Sequence, residues 1–322
     1  MHRFSPKIGV ILLLAVFTAS GCRSNQAHFQ IVAKSDAKIH SFAIHRDRIW
    51  LGTTEGLISL PKEGGKASYL QENAGLKGRQ ANIQGVLPDG DRLILATSAG
   101  VAEFSIRDGR VVRTWTARDG LGNDSIREVY IFEGELWAAT IFGASRYNSR
   151  SNRWKTYSES DGLPRKHIYK LAFNEGRIWA SSIGSGLAVF VSADGRWKAV
   201  PQQKGLGNTH IYDMEPIPGG LWLGTAGGVN FFSTHAGRWD ERVCADGFTE
   251  YCVYAIKLVE NTLWFGTSFG LYARDLASGS QKLYTCNDGL PGNEVVSIDL
   301  NDRTLWVCTR EGIAKLKEKP GT

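Results

Sequence analysis

The chain has 322 residues, of which 42% are hydrophobic and 22% charged, and its formal net charge is +6. No run of lysine or arginine concentrates that charge, which excludes the basic stripe a nucleic-acid-binding surface needs. Its 37 glycines and ten tryptophans suit a β-rich chain of short strands and tight turns.

Taken in chain order, the first informative segment is the N-terminus. Arg3 and Lys7 precede an apolar run over Ile8–Phe17, and Thr18-Ala19-Ser20-Gly21-Cys22 are all small. This is the order of a secretory signal peptide over residues 1–21, and the apolar run is too short to span a bilayer. Residues 19–22, Ala-Ser-Gly-Cys, resemble the lipobox of bacterial lipoproteins, with Ala19 where leucine is usual. The resemblance implies that Cys22 becomes the first mature residue and carries acyl chains, with residues 22–27 as a lipidated tether. Each buried methylene contributes about 0.8 kcal/mol, so several chains would anchor the protein stably. Arg23, where an aspartate would signal inner-membrane retention, points to the outer membrane. The alternative is an ordinary cleaved signal with Cys22 lost or free. No later apolar stretch is long enough to cross a membrane.

From residue 28 onward the chain repeats. The dipeptides Ile49-Trp50, Leu93-Ile94, Leu136-Trp137, Ile178-Trp179, Leu221-Trp222, Leu263-Trp264 and Leu305-Trp306 fall 44, 43, 42, 43, 42 and 42 residues apart. Three residues after each stands Thr53, Thr97, Thr140, Ser182, Thr225, Thr267 or Thr309, and a glycine follows three further on (Gly56 in the first repeat, and one residue later, at Gly186, in the fourth). A period near 42 with four short strands per unit predicts an all-β, seven-bladed β-propeller over residues 28–316, with a C-terminal tail over 317–322. In the third unit the strands are predicted at 126–132, 136–140, 144–147 and 154–157, with no sustained helical period. A second motif precedes each inner strand, as in Asp119-Gly120-Leu121, Asp161-Gly162-Leu163 and Asp288-Gly289-Leu290; an aspartate before a glycine reads as a turn cap rather than a calcium ligand. The last unit lacks a fourth strand, and Phe29–Val32 aligns with the fourth strand of the third unit. That predicts ring closure by the N-terminal segment, which removes an aggregation-prone edge.

Trp-x-Gly-Thr-x-x-Gly-Leu followed by Asp-Gly-Leu-Pro, clearest in residues 221–229 and 288–313, resembles the two-component regulator propeller repeat. The resemblance covers residues 28–316. It implies a stand-alone extracytoplasmic recognition propeller, facing the periplasm from the bacterial cell envelope and sometimes binding sugars. It names no ligand, and the chain lacks kinase and transmembrane parts.

Loops joining outer to inner strands share one face of a propeller with loops joining second to third strands. The residues just before each inner strand are Lys38, Asn82, Ser125, His167, His210, Cys252 and Glu294, all polar or ionisable, and the next position is always apolar. We expect these seven to ring the channel mouth, with Phe142, Phe269 and Arg310 beside them, in the mixture of aromatic and hydrogen-bonding groups that makes a small-ligand site. Solvated loop positions are the plainer explanation of the same pattern. His167, His210, Cys252 and Glu294 are metal-ligand types, but four consecutive blades spread them too far for one tetrahedral site. Gly266-Thr267-Ser268-Phe269-Gly270 matches the hydrolase elbow G-x-S-x-G only by coincidence with the repeat turn, since that elbow needs a strand-to-helix context. No cofactor motif occurs. Of the later cysteines, Cys244 and Cys252 flank one loop and are the first candidates for a disulfide in an exported chain.

The reading that results is a non-catalytic, monomeric recognition module, bound to the membrane through Cys22. Its partner would be an envelope protein or a small-molecule or oligosaccharide ligand, and not a nucleic acid. A propeller enzyme using His167 and His210 as acid and base, and an outer-membrane assembly scaffold, are the alternatives.

Overall fold

The computed structural model describes residues 28–201, 208–240 and 251–317. They form seven four-stranded antiparallel sheets, a seven-bladed β-propeller. Blades 1 to 7 begin at the inner strands Ile39–His45, Ile83–Asp89, Ile126–Phe132, Ile168–Asn174, Ile211–Ile217, Val253–Val259 and Val295–Asn301. In blades 1 to 6 the strands follow in chain order from the inside outward. Each inner strand packs on those of the two neighbouring blades, and blade 7 packs on blade 1.

The outer strand of blade 7 is Phe29–Lys34, which pairs antiparallel with Gly312–Leu316. Phe29 pairs with Leu316 and Lys34 with Gly312, with an irregularity between Ile31 and Ala33. Phe29 is only 2% exposed and meets Tyr284 of blade 6 edge-on at 5.4 Å. Residues 29–34 and 312–316 are thus held in one sheet.

Why these residues form blades is visible in the third unit. Its strands are Ile126–Phe132, Glu135–Thr140, Gly143–Asn148 and Arg153–Tyr157. The last three start one residue earlier than alternation predicts, because Glu135, Gly143 and Arg153 each pair across the adjoining turn. The blades are held apart and together by aromatic side chains. Between blades 3 and 4, Trp137, Tyr157, Ile168, Phe190 and Trp197 are buried in one cluster, with Trp137 stacked on Tyr157 at 5.8 Å. Each large apolar side chain buried in this way contributes about 1.5–3 kcal/mol.

The recurring threonine is a clip for the turn between second and third strands. Thr140 Oγ1 donates to the Gly143 carbonyl at 2.9 Å and accepts the Phe142 N–H at 3.1 Å, and Thr53, Thr97, Thr225 and Thr267 do the same. Gly143 follows at φ +136°, and a Cβ there would lie 2.1 Å from the Tyr157 carbonyl oxygen of the outer strand. Only glycine fits that approach. The Asp-Gly motif is equally local. Asp119, Asp161 and Asp288 close single turns of 3-10 helix by accepting the backbone N–H of Thr116, Ser158 and Thr285, each at 2.9 Å, and the following glycines end those turns in the left-handed region. These carboxylates are consumed as caps.

Candidate functional site at the channel mouth

Five of the inner strands open on the same backbone bond. The residue before each offers its carbonyl to the N–H of the residue after the clip threonine or serine: Lys38 to Thr54, Asn82 to Ser98, His167 to Ile183, His210 to Ala226 and Glu294 to Arg310, at 3.0–3.2 Å. The next residue, from Ile39 to Val295, is fully or almost fully buried. Then comes a bulge. In all seven blades the register skips one residue: Ile39 pairs with Thr53, but Ser41 pairs with Gly52, and His40 has no opposite number. The skipped residues are His40, Gln84, Arg127, Tyr169, Tyr212, Tyr254 and Val296. A bulge re-aims a side chain and is common beside functional sites.

These side chains meet across blade boundaries. Arg127 lies over the Tyr169 ring at 5.1 Å, Tyr169 meets Tyr212 edge-on at 5.4 Å, and Tyr212 meets Tyr254 at 5.5 Å. Burial raises the phenol pKa of Tyr212 and of Tyr254, so both keep their hydroxyl proton at neutral pH. The other arc is polar. Arg310 donates from Nε to Glu294 Oε1 at 3.0 Å, and from Nη1 to the Ile39 carbonyl at 3.1 Å and to His40 Nδ1 at 2.8 Å, which ties blade 7 to blade 1. Gln84 donates to Asn82 Oδ1 at 2.8 Å. The His40 pKa is lowered to about 4, chiefly by burial and then by the charge of Arg310, against a smaller raising influence of the neighbouring Asn82 side chain. Burial, and then the charge of Arg127, lower that of His167. Arg127 therefore acts on histidines of blades 1 and 4 from blade 3. Among the mouth side chains, His40 Nε2, Arg127 Nε and His167 Nε2 are buried without a hydrogen-bond partner among the described residues.

The sequence-derived ring sits one layer outside this one. Lys38 is exposed, whereas Asn82, Ser125, His167, His210, Cys252 and Glu294 are half-buried. His210 is held at its backbone N–H by Asn208 Oδ1 at 2.8 Å, and its Nδ1 lies 3.2 Å from the same oxygen. The Cys252 thiol donates to the Ala226 carbonyl at 3.6 Å. On the rim, Phe142 is 44% and Phe269 57% exposed. Lys166 lies over Phe142 at 4.8 Å, and Tyr251 meets Phe269 edge-on at 5.2 Å. Arg310 is already committed to three acceptors and acts first as the latch between the end blades. Cys22, Cys244 and hence the Cys244–Cys252 pairing, the signal segment 1–21, the tether 22–27 and most of the tail 317–322 lie outside the described residues.

Sequence reasoning missed the bulged ring. A signal was present: tyrosine recurs two residues after the ring position in three consecutive repeats, at Tyr169, Tyr212 and Tyr254.

Below the mouth, charged side chains join inner strands of neighbouring blades. Lys170 lies 2.9 Å from Glu128 and 3.0 Å from Asp213, and Lys257 lies 3.3 Å from Glu215. The carboxylates also accept backbone N–H groups of the blade beyond, Asp213 from Ile256 at 2.9 Å and Glu215 from Leu258 at 3.4 Å. Burial alone would lower the Lys170 pKa; Asp213 and Glu128 outweigh it and hold the ammonium well above its ordinary range. This layer stitches blades 3 to 6 together beneath the mouth.

No family model and no curated protein sequence matches the chain. Solved structures do. The extracellular domain of BT4673 from B. thetaiotaomicron, assigned to a hybrid two-component system, superposes with TM-score 0.77 at 17% identity, over 91% of this chain and 40% of that one. PorZ of Porphyromonas gingivalis, a bacterial surface component of the type-IX secretion system, gives 0.70 at 17% identity, over 88% of this chain and 47% of that one. Virginiamycin B lyase from Staphylococcus aureus gives 0.68 at 12% identity, over 89% and 97%. The chain spans less than half the length of the first two. At these identities the likeness is one of fold: the chain is similar to propellers that serve as extracellular domains and to one that is an enzyme.

Proposed function

We propose that this chain is a non-catalytic, extracytoplasmic recognition module that captures a small polar ligand, of the kind a neutral sugar represents, at the channel mouth. One observation carries the reading: seven recurrent bulges bring an aromatic arc of Tyr169, Tyr212 and Tyr254 opposite a polar arc of His40, Gln84 and the Arg310 latch, with Arg127 Nε and His167 Nε2 left without protein partners. A sugar ring has one flatter apolar face and hydroxyls on its edge, and aromatic walls with a few convergent polar groups are what such a ligand needs. Rigid blades with variable loops supply the scaffold. The resemblance of residues 19–22 to a lipobox supports a Cys22 lipid anchor in the envelope, with Arg23 favouring the outer membrane. The extracellular neighbours support the extracytoplasmic placement, and a sensor role is part of the proposal.

The test is thermal stabilisation and calorimetry of protein beginning at Arg23 against neutral mono- and disaccharides. A ligand that binds only the folded state raises the melting temperature by mass action. Tyr212→Ala should abolish that shift, and His167→Gln should weaken it. No shift with any neutral sugar, or one that survives Tyr212→Ala, refutes the site. Turnover of the bound sugar would refute the non-catalytic reading. Cys22→Ser should move the full-length protein from the membrane fraction to the soluble one.

A further inference from the structure

The opposite face of the ring carries a cleft of about 930 Å³ formed by blades 2 and 3. It is built from the ends of strands that run away from the mouth: the turns between first and second strands, near Asp89 and Gly134, and the end of the third strand of blade 3 with the loop after it, at Asn148–Arg150. A ligand there would not compete with one at the mouth.

Five cationic side chains, Arg92, Arg113, Arg146, Arg150 and Lys155, line it, against three carboxylates. Two of the cations are already paired. Arg92 is held by Asp89 at 2.6 Å and by Glu103 at 3.2 Å, and Arg146 by Glu135. That uses all three carboxylates. Arg113, Arg150 and Lys155 have no carboxylate partner among the described residues. Arg113 is packed over Trp115 at 4.5 Å, with its far end on Asn152 Oδ1, so its guanidinium is held in place by a ring and a neutral acceptor. Lys155 lies over the Tyr157 ring at 4.6 Å. Arg150 sits on a turn that Asn148 Oδ1 pins by accepting the Arg150 and Ser151 N–H groups, both at 3.0 Å. The Tyr147 hydroxyl donates to the same Asn152 oxygen at 2.5 Å, so this wall is pre-ordered.

We infer that this cleft is a second binding site, for an acidic oligosaccharide. Three cations without a carboxylate partner, two of them held over aromatic rings, favour an anion, because hydrogen bonds to an ionised acceptor are roughly twice as strong as neutral ones. The cleft is at the large end of small-molecule sites, which points to several linked units. The half-buried Tyr147 ring and the Asn148 and Ser149 side chains among the cations suit a hydroxylated ligand better than a bare polyanion. The anionic group is a carboxylate or a phosphate on the sugar.

The experiment is calorimetry of protein beginning at Arg23 with three probes: a trigalacturonate, its fully methyl-esterified form and a phosphorylated disaccharide. The Arg150→Gln/Lys155→Gln double variant is the key comparison, since both side chains are exposed and neither supports the core. Binding of the trigalacturonate assigns carboxylated sugars, and binding of the phosphorylated disaccharide alone assigns phosphorylated ones. In either case esterification or removal of the anion should abolish binding. The double variant should lose on the order of tenfold in affinity per cation removed, and added salt should weaken what remains. Tyr212→Ala at the mouth should leave this binding unchanged, which separates it from the site above. Binding of neither acidic sugar, equal binding of the esterified form, full affinity in the double variant or equally tight binding of a tri-glutamate peptide would each overturn the proposal.

Discussion

His40 gives the sharpest test of how the ring is closed. Its Nδ1 accepts from the Arg310 guanidinium that also holds the Ile39 carbonyl, so the folded state needs a neutral imidazole at the blade 7–blade 1 seam. Burial and the Arg310 charge lower its pKa from 6.5 to about 4. The sign follows from proton uptake. Between those two values the unfolded chain binds the proton and the folded chain does not, so stability falls as pH falls through that window and is fully present above 6.5. The two pKa values correspond to about 2 kcal/mol lost between pH 7 and pH 5. The ring is partly exposed, and solvent screening reduces this to about 1 kcal/mol. Carboxylates titrate over part of the same range, so the quantity to measure is the difference between wild type and His40→Asn, whose side-chain oxygen can still accept from Arg310. Urea unfolding midpoints at a series of pH values from 7 to 4.5 supply it. Wild type should lose about 1 kcal/mol more than the variant on going from pH 7 to pH 5. Parallel pH profiles would show that His40 is not held neutral at the seam, and the latch would have to be redrawn.

Phe29→Ala empties a buried position on the closing strand and should cost about 3–5 kcal/mol in chemical denaturation. Its effect on light scattering should be larger than that of an equally buried residue inside a blade, because it loosens an edge. Gly143→Ala meets a backbone oxygen at a positive φ and should cost about 1–3 kcal/mol, read from the thermal midpoint. Lys170→Met leaves Glu128 and Asp213 without their shared cation and should cost about 3–5 kcal/mol. Adding Glu128→Gln and Asp213→Asn to that variant should return much of the loss, and a triple variant no better than the single one would show that the ion layer does not stitch blades 3 to 6.

Blade number, strand order and the closing segment were legible because the repeats write the same hydrogen bonds again and again. Thr140 and its counterparts clip one turn, Asp119 and its counterparts cap another, and Gly143 passes a carbonyl that a side chain would strike. The mouth was only half legible. Alternation counted from the strand start places polar groups at Asn82, His167 and Glu294, and they do stand at the rim, but a bulge breaks the alternation at the next position but one. Nothing in Ile-His-Ser or Ile-Arg-Glu announces a bulge, since it arises where the clip turn and the inner strand must both be satisfied. Only the three successive tyrosines hinted at it. The ion layer and the basic cleft were not legible, because Lys170 finds its partners 42 and 43 residues away, and Arg113 and Arg150 come from different repeats at unrelated positions.

That contrast bears on where function can reside in such a chain. The residues that recur from blade to blade are the ones whose polar atoms are already spent: the threonine hydroxyls on a glycine carbonyl, the aspartates on the N-caps. A group with both lone pairs or its proton committed to the backbone has little to offer a ligand without undoing a turn. On the proposed reading, recognition comes from positions where the repeats differ while the backbone stays the same. The bulge is such a position, holding His, Gln, Arg, three Tyr and Val in one geometry. Fixed geometry with variable chemistry lets a symmetric scaffold present an asymmetric surface at the bulges, aromatic over blades 4 to 6, polar over blades 1 to 3 and apolar at Val296 of blade 7. Moving an aromatic from one arc to the other, as in Tyr212→Gln with Gln84→Tyr, should preserve stability within about 1 kcal/mol, since neither site is core. It should abolish recognition of the ligand, because the arc that contacts its apolar face would no longer be continuous.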